Sequence, residues 1–178
     1  MASIVYEMES LQVSRANSIV TVTINQPTKK NAVNPPMWDG LAEIFREIAS
    51  NADDRVVVVT GAGDDFCSGA DLSGRGEAAS AADGVARPNH LAAMKRVNAA
   101  CIALQNLAQP TIAKVRGVAV GAGCNLALGC DLVVASQSAR FSEIFARRGL
   151  SLDFGGSWIL TRRVGMHRAK ELAFFAEI

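Results

Sequence analysis

Two short loops constrain this chain more than any other feature: Phe66-Cys67-Ser68-Gly69-Ala70-Asp71-Leu72, and Gly117-Val118-Ala119-Val120-Gly121-Ala122-Gly123-Cys124-Asn125. Each puts a small residue and its backbone N–H where a strand gives way to a helix or turn. Two convergent backbone donors, offered without bulky side chains in the way, are what a developing oxyanion needs in an enolate or acyl-transfer transition state. The chemistry to look for is therefore a carbonyl held between them.

A chain of 178 residues is long enough for one domain with a real core and short for two, so residues 1–178 are read as a single domain. Apolar residues make up 49% and the net charge is +1, an ordinary globular balance that gives no reason to expect a polyanion partner. The basic residues are scattered apart from Lys29-Lys30, Arg147-Arg148 and Arg162-Arg163, which argues against nucleic-acid binding. Met1 to Asn17 mixes Glu7, Glu9 and Arg15 among apolar residues without a long apolar run; no signal peptide is expected, and a cytoplasmic location is. Nothing approaches the roughly 18 unbroken apolar residues of a membrane span. Cys67, Cys101, Cys124 and Cys130 form no C-x-x-C and no close pairing with His, so they read as reduced, buried packing residues and no metal site is expected.

Ile19 to Ile24 alternates as a half-buried strand should and stops at Asn25-Gln26-Pro27. Asn34 then caps a helix with Pro35 at its first position and Met37, Leu41, Ile44, Phe45 and Ile48 on one face. Arg55 to Thr60 reads as a strand covered on both sides and ends at Gly61-Ala62-Gly63. Ser73 to Pro88, rich in Ala, Gly and Ser, reads as a mobile loop. Leu91, Met94, Val97, Cys101, Leu104 and Leu107 mark an amphipathic helix, followed by a strand from Thr111 to Val115. A short helix over Asn125 to Gly129, a strand over Leu132 to Ala135 and a helix from Gly156 to the last residue complete an α/β pattern with a largely parallel sheet. Phe174-Phe175-Ala176-Glu177-Ile178 falls inside an apolar helical pattern without a stop signal, so the last helix is expected to be cut short or to end against another chain.

The ordered set Asn25-Gln26-Pro27, Asn31-Ala32-Val33-Asn34, Phe66 to Leu72, Gly117 to Asn125, Ala139-Arg140-Phe141 and Gly155-Gly156 with Arg163-Val164-Gly165 resembles the crotonase superfamily, the enoyl-CoA hydratase/isomerase family. The resemblance runs over nearly the whole chain. It implies a crotonase-like spiral of ββα units, with the C-terminal helical segment largely missing, that binds an acyl-CoA thioester. By that similarity the thioester oxygen sits between the N–H groups of Ala70 and Ala122, and Lys30, Ala32, Val33, Ser68, Asp71, Leu72 and Gly121 contact the CoA moiety. Coenzyme A then enters as part of the substrate, no other cofactor is implied, and the assembly is a homotrimer or a dimer of trimers.

Hydration in this family resembles a two-carboxylate design, and the matching positions here are Asn125 and Phe145, neither of which is a base. Asp153 matches the catalytic aspartate of family members that isomerise enoyl-CoA double bonds. Flanked by Leu152 and Phe154, it is expected to be partly desolvated, which raises a carboxyl pKa and suits proton shuttling. The other reading of Asp153 is a cap for the helix after Gly155-Gly156. Glu143 is either a second acid or a carboxylate at the surface or behind the site. Cys124 reads as small and buried, with a thiolate at a helix N-terminus as its alternative. Trp158 reads as core, and His90 and His167 sit on helices without a partner pattern. The expected chemistry is Asp153-dependent double-bond isomerisation, with enoyl-CoA hydration and a non-catalytic acyl-CoA binder as alternatives. A dinucleotide fold built on Gly121-Ala122-Gly123 fails at Leu126, where close helix packing wants Gly or Ala.

Overall fold

The computed structural model describes residues 3–73 and 90–178, with side chains from residue 9 onward. The segment read as a mobile loop, Ser73 to Pro88, lies outside the described residues except for Ser73. β1 (Ser3–Met8), β2 (Leu11–Ala16) and β3 (Ile19–Ile24) form an antiparallel meander. Asn17 and Ser18, both at positive φ, make the two-residue turn between β2 and β3. β1 and β2 are additions to the sequence reading: in β2 only Leu11 and Val13 alternate as buried apolar positions, too short a pattern to stand out.

From β3 onward the chain winds in one repeating unit. α1 (Pro35–Ser50) follows β3, its N-terminus closed by the Asn34 side chain accepting from the Met37 N–H at 3.0 Å, as expected. Its stripe Met37, Leu41, Ile44, Phe45 and Ile48 is buried, together with Trp38. β4 (Val56–Gly61) returns parallel to β3. After α2 (His90–Gln105) come β5 (Thr111–Val115), β6 (Val118–Val120), α3 (Ala122–Gly129), β7 (Leu132–Ala135), β8 (Arg140–Ser142), a 3-10 turn over Ile144–Arg148 and α4 (Gly156–Phe175). The main sheet has the order β1-β2-β3-β4-β5-β7, parallel from β3 to β7.

A second, smaller layer accompanies this sheet. β6 pairs with β8 in parallel, and the bridges Cys67 to Ala119 and Val33 to Ala70 extend that layer toward α1. Each parallel strand of the main sheet is thus followed by a step in the second layer and then by a helix: β3, Val33, α1; β4, Cys67 to Ala70, α2; β5, β6, α3; β7, β8, α4. This is the ββα spiral that the resemblance implies.

Three elements differ from expectation. α3 begins at Ala122 rather than Asn125, because Gly121 takes φ 56° and ψ −126° and turns the chain directly into helix. α4 is interrupted at Gly165 (φ 77°, ψ 161°) and closed by Ala176 in the left-handed conformation, whose N–H reaches the Leu172 carbonyl at 3.0 Å. A left-handed alanine carries no signal in the sequence, since this site usually selects glycine. On the presumed apolar face of α2, Val97, Cys101 and Leu104 are buried, whereas Leu91 is 67% exposed.

Candidate active site

The two glycine loops lie side by side because the second layer stitches them together. The Cys67 N–H donates to the Val118 carbonyl and the Val120 N–H to the Cys67 carbonyl, each at 2.9 Å. Glycine is required where they touch. A Cβ on Gly69 would stand 2.7 Å from the Val120 carbonyl oxygen and 3.4 Å from the Ala122 nitrogen, and one on Gly123 would overlap the Cys67 carbonyl.

The orientation of the Ala70 donor follows from the same bonding. Val33 gives its N–H to the Gly69 carbonyl and takes the Asp71 N–H on its own carbonyl, at 2.8 and 2.9 Å. In a parallel bridge of that kind the N–H of the central residue points to the opposite side. The Ala70 N–H therefore faces away from Val33, and Ala70 lines a cavity of about 520 Å³. Ala122 lines the same cavity, and as the first residue of α3 its N–H has no partner inside the helix. The positive end of the α3 dipole adds to the field there.

Asp153 stands in the wall of that cavity with Phe145, Arg148 and Leu150, and is half-buried. The capping alternative for Asp153 does not hold: α4 opens on Gly155 with no side-chain cap, and the Gly156 N–H goes to the backbone carbonyl of Asp153, at 2.8 Å. The carboxylate is held in place by an unusual turn. Phe154 takes φ 47° and Gly155 φ 71°, and the fully buried Phe154 ring packs on Trp38 at 5.6 Å between centroids. A non-glycine residue at positive φ costs free energy that its surroundings must over-determine.

Of the residues expected to contact CoA, Lys30, Ser68, Ala70, Leu72, Gly121 and Ala122 line the cavity. Ala32 and Val33 are buried beside the first loop, and the Asp71 side chain is engaged by Lys29 at 2.8 Å and by Ser73. The Lys29 ammonium, with Ser73, holds the Asp71 carboxyl down at about 2. Lys30 keeps an exposed ammonium, 3.8 Å from Asp65.

Other expectations are corrected by burial. Glu143 is not at the surface: it is 2% exposed, and burial pushes its carboxyl up to about 7 against the opposing hydrogen bonds from Cys124 and Asn125. Asn125 is fully buried, and its amide donates to the Asp153 carbonyl at 3.0 Å and approaches Glu143 at 3.4 Å. The thiolate alternative for Cys124 falls, because burial and the neighbouring Glu143 raise its pKa well above the ordinary thiol value. Trp158 is 56% exposed rather than core, with the Arg162 guanidinium 3.8 Å over its ring.

Asn31 enters the sequence reading only within the motif Asn31-Ala32-Val33-Asn34, yet its side chain braces the turn that leads into the first loop. Buried and left-handed at φ 56°, it donates to the carbonyls of Ala62 and Asp65 at 2.8 and 2.7 Å and accepts from the Gln26 N–H at 2.9 Å. The signal was present, since Asn is the residue after glycine that best tolerates this conformation. Arg148 was noted only as half of a basic pair; its place in the cavity wall depends on the 3-10 turn.

A family model described as enoyl-CoA hydratase/isomerase matches residues 14–178. The 1,2-epoxyphenylacetyl-CoA isomerase of Escherichia coli (strain K12) is 38% identical over 155 residues, covering 87% of this chain and 58% of that protein. The short-chain-enoyl-CoA hydratase of Clostridium acetobutylicum is 33% identical over 175 residues, covering 96% of this chain and 63% of that protein. The crystal structure of an enoyl-CoA hydratase from Mycobacterium avium subsp. paratuberculosis K-10 superimposes with a TM-score of 0.84 at 31% identity, covering 97% of this chain and 66% of that one. The chain spans about three fifths of the length of these two curated relatives.

Proposed function

The chain belongs to the enoyl-CoA hydratase/isomerase family, and from that premise we propose that it binds an acyl-CoA thioester and shifts an enoyl double bond with Asp153 as acid and base. The observation that carries this reading is that Ala70, Ala122 and Asp153 line one cavity, whereas the positions of a paired-carboxylate design hold Phe145 and the buried Asn125. In this reading the thioester oxygen lies between the N–H groups of Ala70 and Ala122. The Asp153 carboxylate removes a proton from C2 of a 3-enoyl-CoA, the electrons run into the thioester as a dienolate, and the protonated Asp153 returns the proton at C4. The double bond moves from C3 to C2 and no atom is gained or lost. The substrate brings coenzyme A with it and the proton transfer calls on no separate cofactor. A homotrimer or dimer of trimers is part of the same proposal, checked by light scattering in solution.

The name of the Escherichia coli relative agrees with an isomerase, and that of the Clostridium relative keeps hydration as the second reading. Incubation with a 3-enoyl-CoA and a 2-enoyl-CoA, followed by absorbance and mass, separates them. Bond migration in the wild type and its loss in Asp153→Asn, with hexanoyl-CoA binding kept within about threefold, is the expected result. Water addition that survives Asp153→Asn would overturn it, and binding without turnover would favour the non-catalytic alternative.

A further inference from the structure

One side of the cavity wall is assembled from three pieces of chain: the first turn of α3 with Ala122, the 3-10 turn with Phe145 and Arg148, and the loop 149–155 with Asp153. All three meet at one buried polar pair. Asn125, on the first turn of α3, donates its amide to the Asp153 backbone carbonyl at 3.0 Å and lies 3.4 Å from Glu143 Oε2. Glu143 opens the 3-10 turn and lies beside Cys124. The first residue of α4 is shaped to this arrangement, because a Cβ on Gly156 would overlap the Asn125 amide. Neither Asn125 nor Glu143 is among the residues that line the cavity; both are buried behind its wall. An amide and a carboxyl cost desolvation that an apolar pair of the same shape would not, and what this pair supplies is directional bonding between separate elements.

We infer that Asn125 and Glu143 are positioning residues: a buried amide–carboxyl pair that ties the Asp153 loop and the cavity-lining turn to the first turn of α3, setting the carboxylate against the Ala122 donor. The catalytic part of this inference rests on the acyl-CoA reading above; the mechanical part does not. The groups that face Glu143 are Cys124 and Asn125 from α3 and Asp153 from the loop. The amide is the link that crosses between elements, so an apolar residue of similar size at 125 removes the bond while filling the space.

The test compares Asn125→Leu, Glu143→Leu and Glu143→Gln with the wild type in two readouts. In amide hydrogen exchange, Asn125→Leu is expected to speed exchange of the loop amides 149–156 by about tenfold while β3, β4 and β5 stay within about twofold. In turnover of a 3-enoyl-CoA, kcat is expected to fall by about thirtyfold with KM within about threefold, the signature of a misplaced carboxylate. Glu143→Leu keeps the Asn125–Asp153 bond but removes the acceptor that orients the amide, so it should act in the same direction with a smaller effect, and it supplies the comparison should Asn125→Leu not fold. Glu143→Gln keeps an acceptor for the Asn125 amide and should recover most of what Glu143→Leu loses. Unchanged loop exchange in both leucine variants would overturn the inference, as would an equal loss of protection across the sheet. A wild type that turns over neither substrate would overturn the acyl-CoA reading, leaving the exchange experiment to decide the positioning role.

Discussion

Glu143 shows how one carboxyl can be governed by its surroundings rather than its neighbours in sequence. Burial raises it from 4.5 to about 7, so the fold holds its protonated form. The stability this group contributes is therefore complete below about pH 4.5 and is lost as pH rises through about 7. Glu143→Gln, which cannot ionise, should gain stability relative to wild type by about 3 kcal/mol between about pH 4 and about pH 8, read from paired melting curves; a flat difference would mean a solvated carboxyl. Ala122 offers a second test of a single atom. It is the first residue of α3, where proline fits the helix and lacks only the N–H. Ala122→Pro should fold and lose about 3 kcal/mol of transition-state stabilisation, about a hundredfold in kcat, with hexanoyl-CoA affinity little changed. Ala122 and Asp153 could be named as candidates from the sequence, the first because it follows a tight glycine turn and the second because its position resembles that of a family aspartate. The environment of Glu143 was not legible, since nothing within a few residues of it reveals that Cys124 and Asn125 will cover it.

At the scale of elements, the docking of α3 on the first loop decides where the two backbone donors stand. Gly123 has helical backbone, so its need for glycine comes from space alone: a Cβ would overlap the Cys67 carbonyl. Gly123→Ala should cost about 2 kcal/mol, since backbone rather than a flexible side chain must move, and should lower kcat further than melting temperature alone accounts for. The meander is pinned elsewhere. Arg15 on β2 bonds the 5%-exposed Asp54 at 2.9 Å and Glu47 on α1 at 2.8 Å, an arrangement that raises the Arg15 pKa further. Arg15→Ala leaves the Asp54 carboxylate buried without its cation and should destabilise by about 3 kcal/mol in denaturant unfolding, with little sensitivity to salt. The helices and parallel strands were readable from period and capping, as Asn34 with Pro35 and the run Val56 to Thr60 illustrate. The break at Gly165 was not, because an isolated glycine in a helical pattern is compatible with continuation.

Over the whole molecule, the cavity is bounded by the second layer, α2, the start of α3 and the 3-10 turn, and its walls come from residues as distant in sequence as Lys30 and Asp153. A ligand that fills it stabilises every element that lines it. Hexanoyl-CoA at about a hundred times its dissociation constant should stabilise the fold by about 2.7 kcal/mol, seen as a rise in melting temperature that Asp153→Asn retains; no shift in either protein would sink the acyl-CoA assignment. The sequence by itself determined the parallel strands β3, β4, β5 and β7, the helices between them and the two glycine loops, because period, capping and turn chemistry act within a few residues. It also determined the family, through an ordered set of motifs. Only the tertiary structure decided that the loops abut through Cys67 and Ala119, that Asp153 does not cap α4, and that Asn125 and Glu143 lie buried behind the site. Those outcomes depend on contacts between residues far apart in the chain, where distance, burial and the absence of a Cβ select among arrangements that the local pattern leaves equal.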